Sequence, residues 1–195
     1  MQNHLSRVFF LSKGCRQVPL EHSRGIVRWA HPDGYFLNAQ GKKLAHTFSP
    51  TNQKGHQDGS CYPCDCVTKR ASHILMALAF YGDRPIDRTT GKPCVCHHLI
   101  PDKLDYKPAN LLCWLTRAEH VEADRRQRAL RKIVPNGDLH VFTYDRLRQL
   151  QDPRVTSVEE FETQRALIEA CHLQKMTPLE TQYAAAEERT KYADD

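Results

Sequence analysis

Two short apolar segments, CVCHHLI at 94–100 and NLLCWL at 110–115, run directly into a helix whose first turn is marked in the sequence. Thr116 and Glu119 form a T-x-x-E capping box, in which each side chain satisfies a backbone N–H that the helix start leaves open. The apolar segments are too short for helices and suit strands. The helix is predicted to run from Thr116 to about Ile133, ahead of Pro135 and Gly137. Whatever surrounds this stretch must accept a strand, a loop through PDKLDYKPA, a second strand and a long helix, in that order.

The capped helix also sets side-chain positions. His120 and Asp124 are four residues apart and so lie one turn above the other on one face. An imidazole and a carboxylate placed this way can share one divalent ion, and His97 at the end of the first strand can supply a third ligand. Water and a substrate phosphate then fill the open positions. His98 is the neighbour of a ligand but is not expected to be one, because successive strand side chains diverge. A neutral imidazole with an unperturbed pKa of ~6.5 is a good general base for water. Asn110 opens the second strand, and its amide can hydrogen-bond the loop backbone and so fix where His98 points. For Asp124 a second reading stays open, a solvated carboxylate paired with Arg128.

The order His-Asn-His across strand, loop, strand and helix resembles the HNH endonucleases over CHHLIPDKLDYKPANLLCWLTRAEH. Upstream, GYFLNAQGKKL and ASHILMALAFYGDRP are similar to the lead-in of phage-type and homing-type HNH proteins, so the resemblance spans about 24–132. It implies a ββα-metal module. It also implies that His98 activates water, that Asn110 holds His98 in place, and that His97 and His120 bind one divalent metal that stabilises the departing 3′ oxygen. Three details depart from the pattern. Asn110 and His120 are ten residues apart, one more than expected. Asp124 stands where the colicin-like branch often has histidine. His97 stands where many homing enzymes have aspartate or asparagine. Each departure keeps a ligand-type side chain.

Elsewhere, residues 24–48 read as short strands with turns at Asp33-Gly34 and Gln40-Gly41. Residues 49–60 read as a polar loop, and a strand is expected through Cys64–Val67. ASHILMALAFYG at 71–82 has helical spacing closed by Gly82. DLHVFTY at 138–144 looks like a strand, and Asp145–Gln151 a short helix ended by Asp152-Pro153. Two further capping boxes, Ser157 with Glu160 and Thr177 with Glu180, open helices to about Leu173 and about Tyr192. His73, at the start of the 71–82 helix, reads as a packing or capping residue. The expected fold class is α+β: a β-rich region over 1–60, a nuclease-like core over 61–134, and a strand plus helical extension over 135–195.

Composition bounds the function. The chain has 195 residues, 40% of them hydrophobic, a net charge of +5 and a pI near 8.8. No apolar run approaches the ~18 residues a membrane span needs, and the N-terminus lacks the features of a signal peptide. Eight cysteines without a secretion signal suit reduced thiols or metal binding in the cytoplasm rather than a disulfide scaffold. Cys61 and Cys64 form a common zinc half-site, which Cys94 and Cys96 can complete with irregular spacing; Cys66 and Cys96 are alternatively buried strand residues. Arg117, Arg125, Arg126 and Arg128 cluster on the helix that carries the site and are the candidate DNA-backbone contacts, with a solvated helix face as the other reading. Together with the ligand-type side chains, the resemblance implies a metal-dependent DNA endonuclease using Mg²⁺, Mn²⁺, Ni²⁺ or Zn²⁺. The alternative is a non-catalytic nucleic-acid-binding module built on a cysteine-bound structural Zn²⁺.

Overall fold

The computed structural model describes residues 5–45, 47–48, 62–65 and 67–172. The chain is mixed α+β, and it divides into two compact units, Met1–Val121 and Glu122–Asp195. The loop expected over 49–60, the helix expected from Thr177, and Cys61 and Cys66 lie outside the described residues. Among the described residues no helix is long and apolar enough to cross a membrane.

The first unit is organised around a three-stranded antiparallel sheet of β1 (Arg16–Gln17), β2 (Arg28–His31) and β3 (Tyr35–Asn38), with β2 in the middle. Trp29 pairs with Leu37 and Ala30 with Phe36. Because side chains alternate along a strand, the two pairs serve opposite faces. Trp29 and Leu37 cluster with Cys15 and with Phe10 of helix α1 (Arg7–Ser12), whose ring stacks on Trp29 at 4.6 Å between centroids. The start of α1 is set by the Ser6 hydroxyl, which accepts from the Phe9 N–H. Ala30 and Phe36 face the main core with Leu75, Met76, Ala77 and Leu78 of helix α2 (Ser72–Tyr81). Four successive buried positions mean that α2 is enclosed rather than amphipathic, and Gly82 ends it at φ +79°. A two-residue pair, β4 (Thr47–Phe48) with β5 (Pro63–Cys64), is also antiparallel. The strand expected through Val67 stops at Cys64, because the Asp65 carboxylate accepts from the N–H groups of Val67 and Thr68 and closes a turn there.

The same core reaches the strands singled out by sequence. Strand β6 (Val95–His98) pairs antiparallel with β7 (Leu111–Leu115), and Cys96, Leu111 and Cys113 belong to the cluster that holds α2. Helix α3 (Arg117–Ile133) follows. Its capping box forms as the spacing requires: Glu119 Oε2 accepts from the Thr116 N–H at 2.7 Å, and Thr116 Oγ1 accepts from the Glu119 N–H at 3.2 Å.

In the second unit, α3 buries Ala123, Arg126, Gln127 and Leu130 along one stripe, and Val134 lies beyond its end. Helix α4 (Tyr144–Gln151), capped by the Thr143 hydroxyl, buries Leu147, Leu150 and Gln151. Helix α5 covers 158–172 and buries Phe161; its box forms with Ser157 Oγ accepting from the Glu160 N–H at 3.1 Å. The strand expected over 138–144 is absent: 139–141 is a single 3₁₀ turn. The Asp138 carboxylate accepts from the His140 N–H and winds the turn, and of its three residues only Leu139 is buried. The local side chain-to-backbone bond outcompetes a strand with no described neighbour to pair with.

Gly34 ties the hairpin to the loop that precedes β7. It closes the β2–β3 turn at φ +82°, its N–H bonding the His31 carbonyl, and a Cβ there would lie 3.1 Å from the Lys107 backbone nitrogen. Gly25 shares the positive φ, at +72°, but has open space around it. Gly25→Ala is therefore expected to cost about 1–2 kcal/mol for the left-handed backbone alone. Gly34→Ala should cost clearly more, as urea unfolding of both variants will measure. Equal costs would mean that the Lys107 contact relaxes freely.

Candidate metal centre

Strand β6 splits the two adjacent histidines. His97 pairs with Leu112 and His98 with Leu111, and consecutive strand residues face opposite ways. His97, only 3% exposed, points to α3, where its ring meets that of His120 edge-on at 5.4 Å between centroids. His98 lies on the other face, 5.1 Å from the ring of His73 on α2 and 5.7 Å from that of Tyr62.

A bulge keeps this geometry aligned with α3. Val95 pairs with Leu115, but His97 pairs with Leu112, so two steps on β6 oppose three on β7. The extra residue is absorbed at Cys113–Trp114, with Trp114 at φ +59° and its indole N–H donating to the Tyr81 carbonyl.

His97, His120 and Asp124 each present one ligand atom, and the three atoms lie within 4.8 Å of one another. His120 and Asp124 are one turn apart on a helix that is continuous from Arg117 to Ile133. Metal bonds of about 2.1 Å put two ligands on one ion at most ~4.2 Å apart, close to the separations found here. Two imidazoles and one carboxylate suit Zn²⁺, Ni²⁺ or Mn²⁺ better than Mg²⁺, which favours oxygen ligands. Three protein ligands leave positions open for water and substrate, which a structural four-ligand site does not.

Asn110 is fully buried, and its amide spans the loop between the strands. Oδ1 accepts from the Ile100 N–H at 2.8 Å, and Nδ2 donates to the Ile100 carbonyl at 3.2 Å and the Asp105 carbonyl at 2.8 Å. Its own carbonyl accepts from the Leu99 N–H at 2.9 Å. The residue after His98 is thereby fixed to the residue before β7.

Burial keeps His98 neutral: loss of hydration, then the neighbouring His97 charge, lowers its pKa to about 4. Burial, and then the neighbouring His98, lower the His73 pKa to about 3. The sequence reading treated His73 as packing or capping. It does not cap α2, whose N-cap is Ala71 with no side-chain bond; it packs against His98 instead. Tyr62 was not anticipated, since no local pattern connects it to a residue thirty-six positions later.

The other predicted residues are placed differently. Among the described residues no cysteine joins a group of three or more metal-type side chains. Cys64 and Cys94 are buried, and Cys96 turns into the core with its sulfur 3.4 Å from that of Cys113. Cys61 lies outside the described residues. Arg117 is exposed at the first position of α3. Arg125 is held by Glu122 and Glu162 at 2.8–3.0 Å. Arg126 is 1% exposed, bonded to Glu122 and to the Thr156 carbonyl and lying over the Phe161 ring. Its guanidinium is committed inside the protein, which removes it from the side chains able to reach a DNA phosphate. Arg128 is exposed and makes no ion pair with Asp124. A second cluster, Glu21, His22 and Asp83, also brings ligand atoms within 4.8 Å. Arg70 donates to His22 Nδ1 at 2.9 Å, so in the neutral ring Nε2 carries the proton and neither nitrogen offers a lone pair.

No family model matches the chain, and neither the curated proteins nor the solved structures include a significant match.

Two expectations test this geometry. Titration with Zn²⁺ or Mn²⁺ should saturate at about one equivalent, and His120→Ala should weaken binding at least about tenfold, read by calorimetry. Undiminished affinity would place the ion elsewhere. Asn110→Ala leaves buried backbone groups of Ile100 and Asp105 short of a partner and should cost roughly 2–3 kcal/mol, with faster amide exchange at Ile100. An unchanged unfolding midpoint would mean that other contacts hold the loop.

Proposed function

We propose that the protein is a metal-dependent DNA endonuclease of the HNH type, hydrolysing phosphodiester bonds. The observation that carries this reading is the convergence of His97, His120 and Asp124 where an antiparallel strand pair meets a capped helix. His98 and Asn110 lie on the same strand pair. In this reading the arrangement is a ββα-metal module.

His97, His120 and Asp124 would hold one divalent ion, which supplies charge stabilisation to the scissile phosphate and the departing oxygen. His98 would accept a proton from the attacking water through a ring nitrogen. Phosphorus gains the water oxygen and loses the 3′ oxygen of the adjacent nucleoside. Asn110 orients His98 by fixing the loop that begins at Leu99. His73 and Tyr62 wall His98 and limit how its ring can turn. Arg117, exposed one turn before His120, places a cation against the helix dipole, a local cost that a bound phosphate offsets. The alternative, a non-catalytic module with a cysteine-bound zinc, has less support, because Cys96 turns towards Cys113 and, among the described residues, no cysteines gather into a ligand set.

A supercoiled-plasmid nicking assay with Mn²⁺ or Mg²⁺ tests the proposal. His98→Ala is expected to lower the nicking rate by roughly 10²–10⁴-fold while binding the same one equivalent of metal, with circular dichroism confirming the fold. Loss of metal binding would make His98 a ligand. A wild-type protein that nicks with none of the candidate metals would overturn the nuclease reading.

A further inference from the structure

The second unit carries a cleft of about 370 Å³ between the later turns of α3 and helix α5. Its lining is Arg125, Arg128, Ala129 and Lys132 from α3, with Glu162 and Arg165 from α5. Four cations thus face one carboxylate.

The five charges do not play equal parts. Glu162 bridges the two helices, accepting from Arg125 Nη1 at 3.0 Å and from Arg165 Nε at 2.7 Å. Arg125 is also held by Glu122, and Arg165 by Glu169 at 3.6 Å. These pairs hold two guanidinium groups at the cleft, and a guanidinium has five N–H donors, so both keep donors to spare. Arg128 and Lys132 are exposed, and neither pairs with a carboxylate among the described residues. They are one turn apart on the same face, an arrangement of like charges that weakens an isolated helix by a few tenths of a kcal/mol. The chain thus spends carboxylates to fix Arg125, Arg126 and Arg165 and leaves this pair uncompensated.

Arg125, Arg128 and Lys132 follow one another at three- and four-residue spacing, so their Cα atoms step along the helix axis by about 4.5 and about 6 Å. A row of cations over an open cleft matches a chain of phosphates better than a single small anion. The lining offers no aromatic ring on which a base could stack. Contact there is with the backbone and carries no sequence information.

We propose that the cleft between α3 and α5, lined by Arg125, Arg128, Lys132 and Arg165, holds the phosphodiester backbone of duplex DNA. The choice of DNA rests on the nuclease reading; the presence of a polyanion site does not. Arg128 lies one turn, about 6 Å, beyond Asp124 on α3, so phosphates flanking a scissile bond at the metal ligands are the ones this row meets. Glu162 is a positioning residue that draws Arg125 and Arg165 to the cleft from the two helices.

The test is binding of a fluorescent duplex by the full chain in EDTA, where no cleavage occurs, across a salt series. Arg128→Gln with Lys132→Gln is expected to lower the slope of log K against log salt by about 1.8, two phosphates at ~0.9 each. The loss should be equal for unrelated sequences. The exchange Arg128→Lys with Lys132→Arg should keep the wild-type slope, and Lys13→Gln with Arg24→Gln, exposed cations of the first unit, should leave it nearly unchanged. An unchanged slope in the first variant, or an equal loss in the first-unit control, would overturn the proposal. Tighter binding to duplex RNA than to DNA would overturn the assignment to DNA. A protein that binds duplex with the expected slope but never nicks it would refute the nuclease reading and leave the cleft standing. One that nicks and shows no slope change would do the reverse.

Discussion

The site depends on one buried amide. Asn110 makes three side-chain hydrogen bonds to the backbone of the loop between β6 and β7, and a fourth from its own carbonyl, without any exposure to water. These bonds help set where the loop leaves β6 and where it enters β7. His97 and His98 sit immediately before it and Leu111 immediately after. Tyr81, at the end of α2, adds an outer tie by donating its hydroxyl to the Pro108 carbonyl at 2.6 Å. Gly34 adds another by letting the β2–β3 turn approach Lys107.

From that anchor the strand pair sorts two chemically identical side chains into different surroundings. His97 faces His120 across the start of α3; His98 faces α2 and is walled by His73 and Tyr62. The division of labour proposed here gives one imidazole to the metal and the other to the proton. The bulge at Cys113–Trp114 lies on β7, between this strand pair and the start of α3.

Charge on α3 is sorted in a similar way. Glu122 receives both Arg125 and Arg126, and those guanidinium groups hold its carboxyl down to about 2, well below the usual carboxylate range. Arg126 then lies beneath Phe161 and bonds the Thr156 carbonyl, so a residue that looks like surface charge in sequence is a buried strut. Arg128 and Lys132 remain outside. A buried arginine of this kind specifies how its neighbours meet more than it adds net stability, since its desolvation offsets much of the pairing.

Features set by groups within four residues of one another were legible in the sequence alone. The start of α3, the shared face of His120 and Asp124, the end of α2 at Gly82 and the turn at Gly34 follow from capping, helical period and positive φ. The opposed directions of His97 and His98 follow from the strand period. Where two local rules compete the sequence is ambiguous: DLHVFTY carries strand-type residues, yet the Asp138 side chain bonds its own backbone and a 3₁₀ turn forms. The tertiary structure alone decided the rest. Tyr62 and His73 reach His98, Cys96 turns to Cys113, and Arg126 finds Thr156 and Phe161 through contacts between residues 17 to 36 positions apart. Burial decides whether an arginine is a strut or a phosphate contact, and whether a cysteine is a ligand or a core thiol. Burial is a property of what packs against a residue, which its neighbours in sequence do not specify.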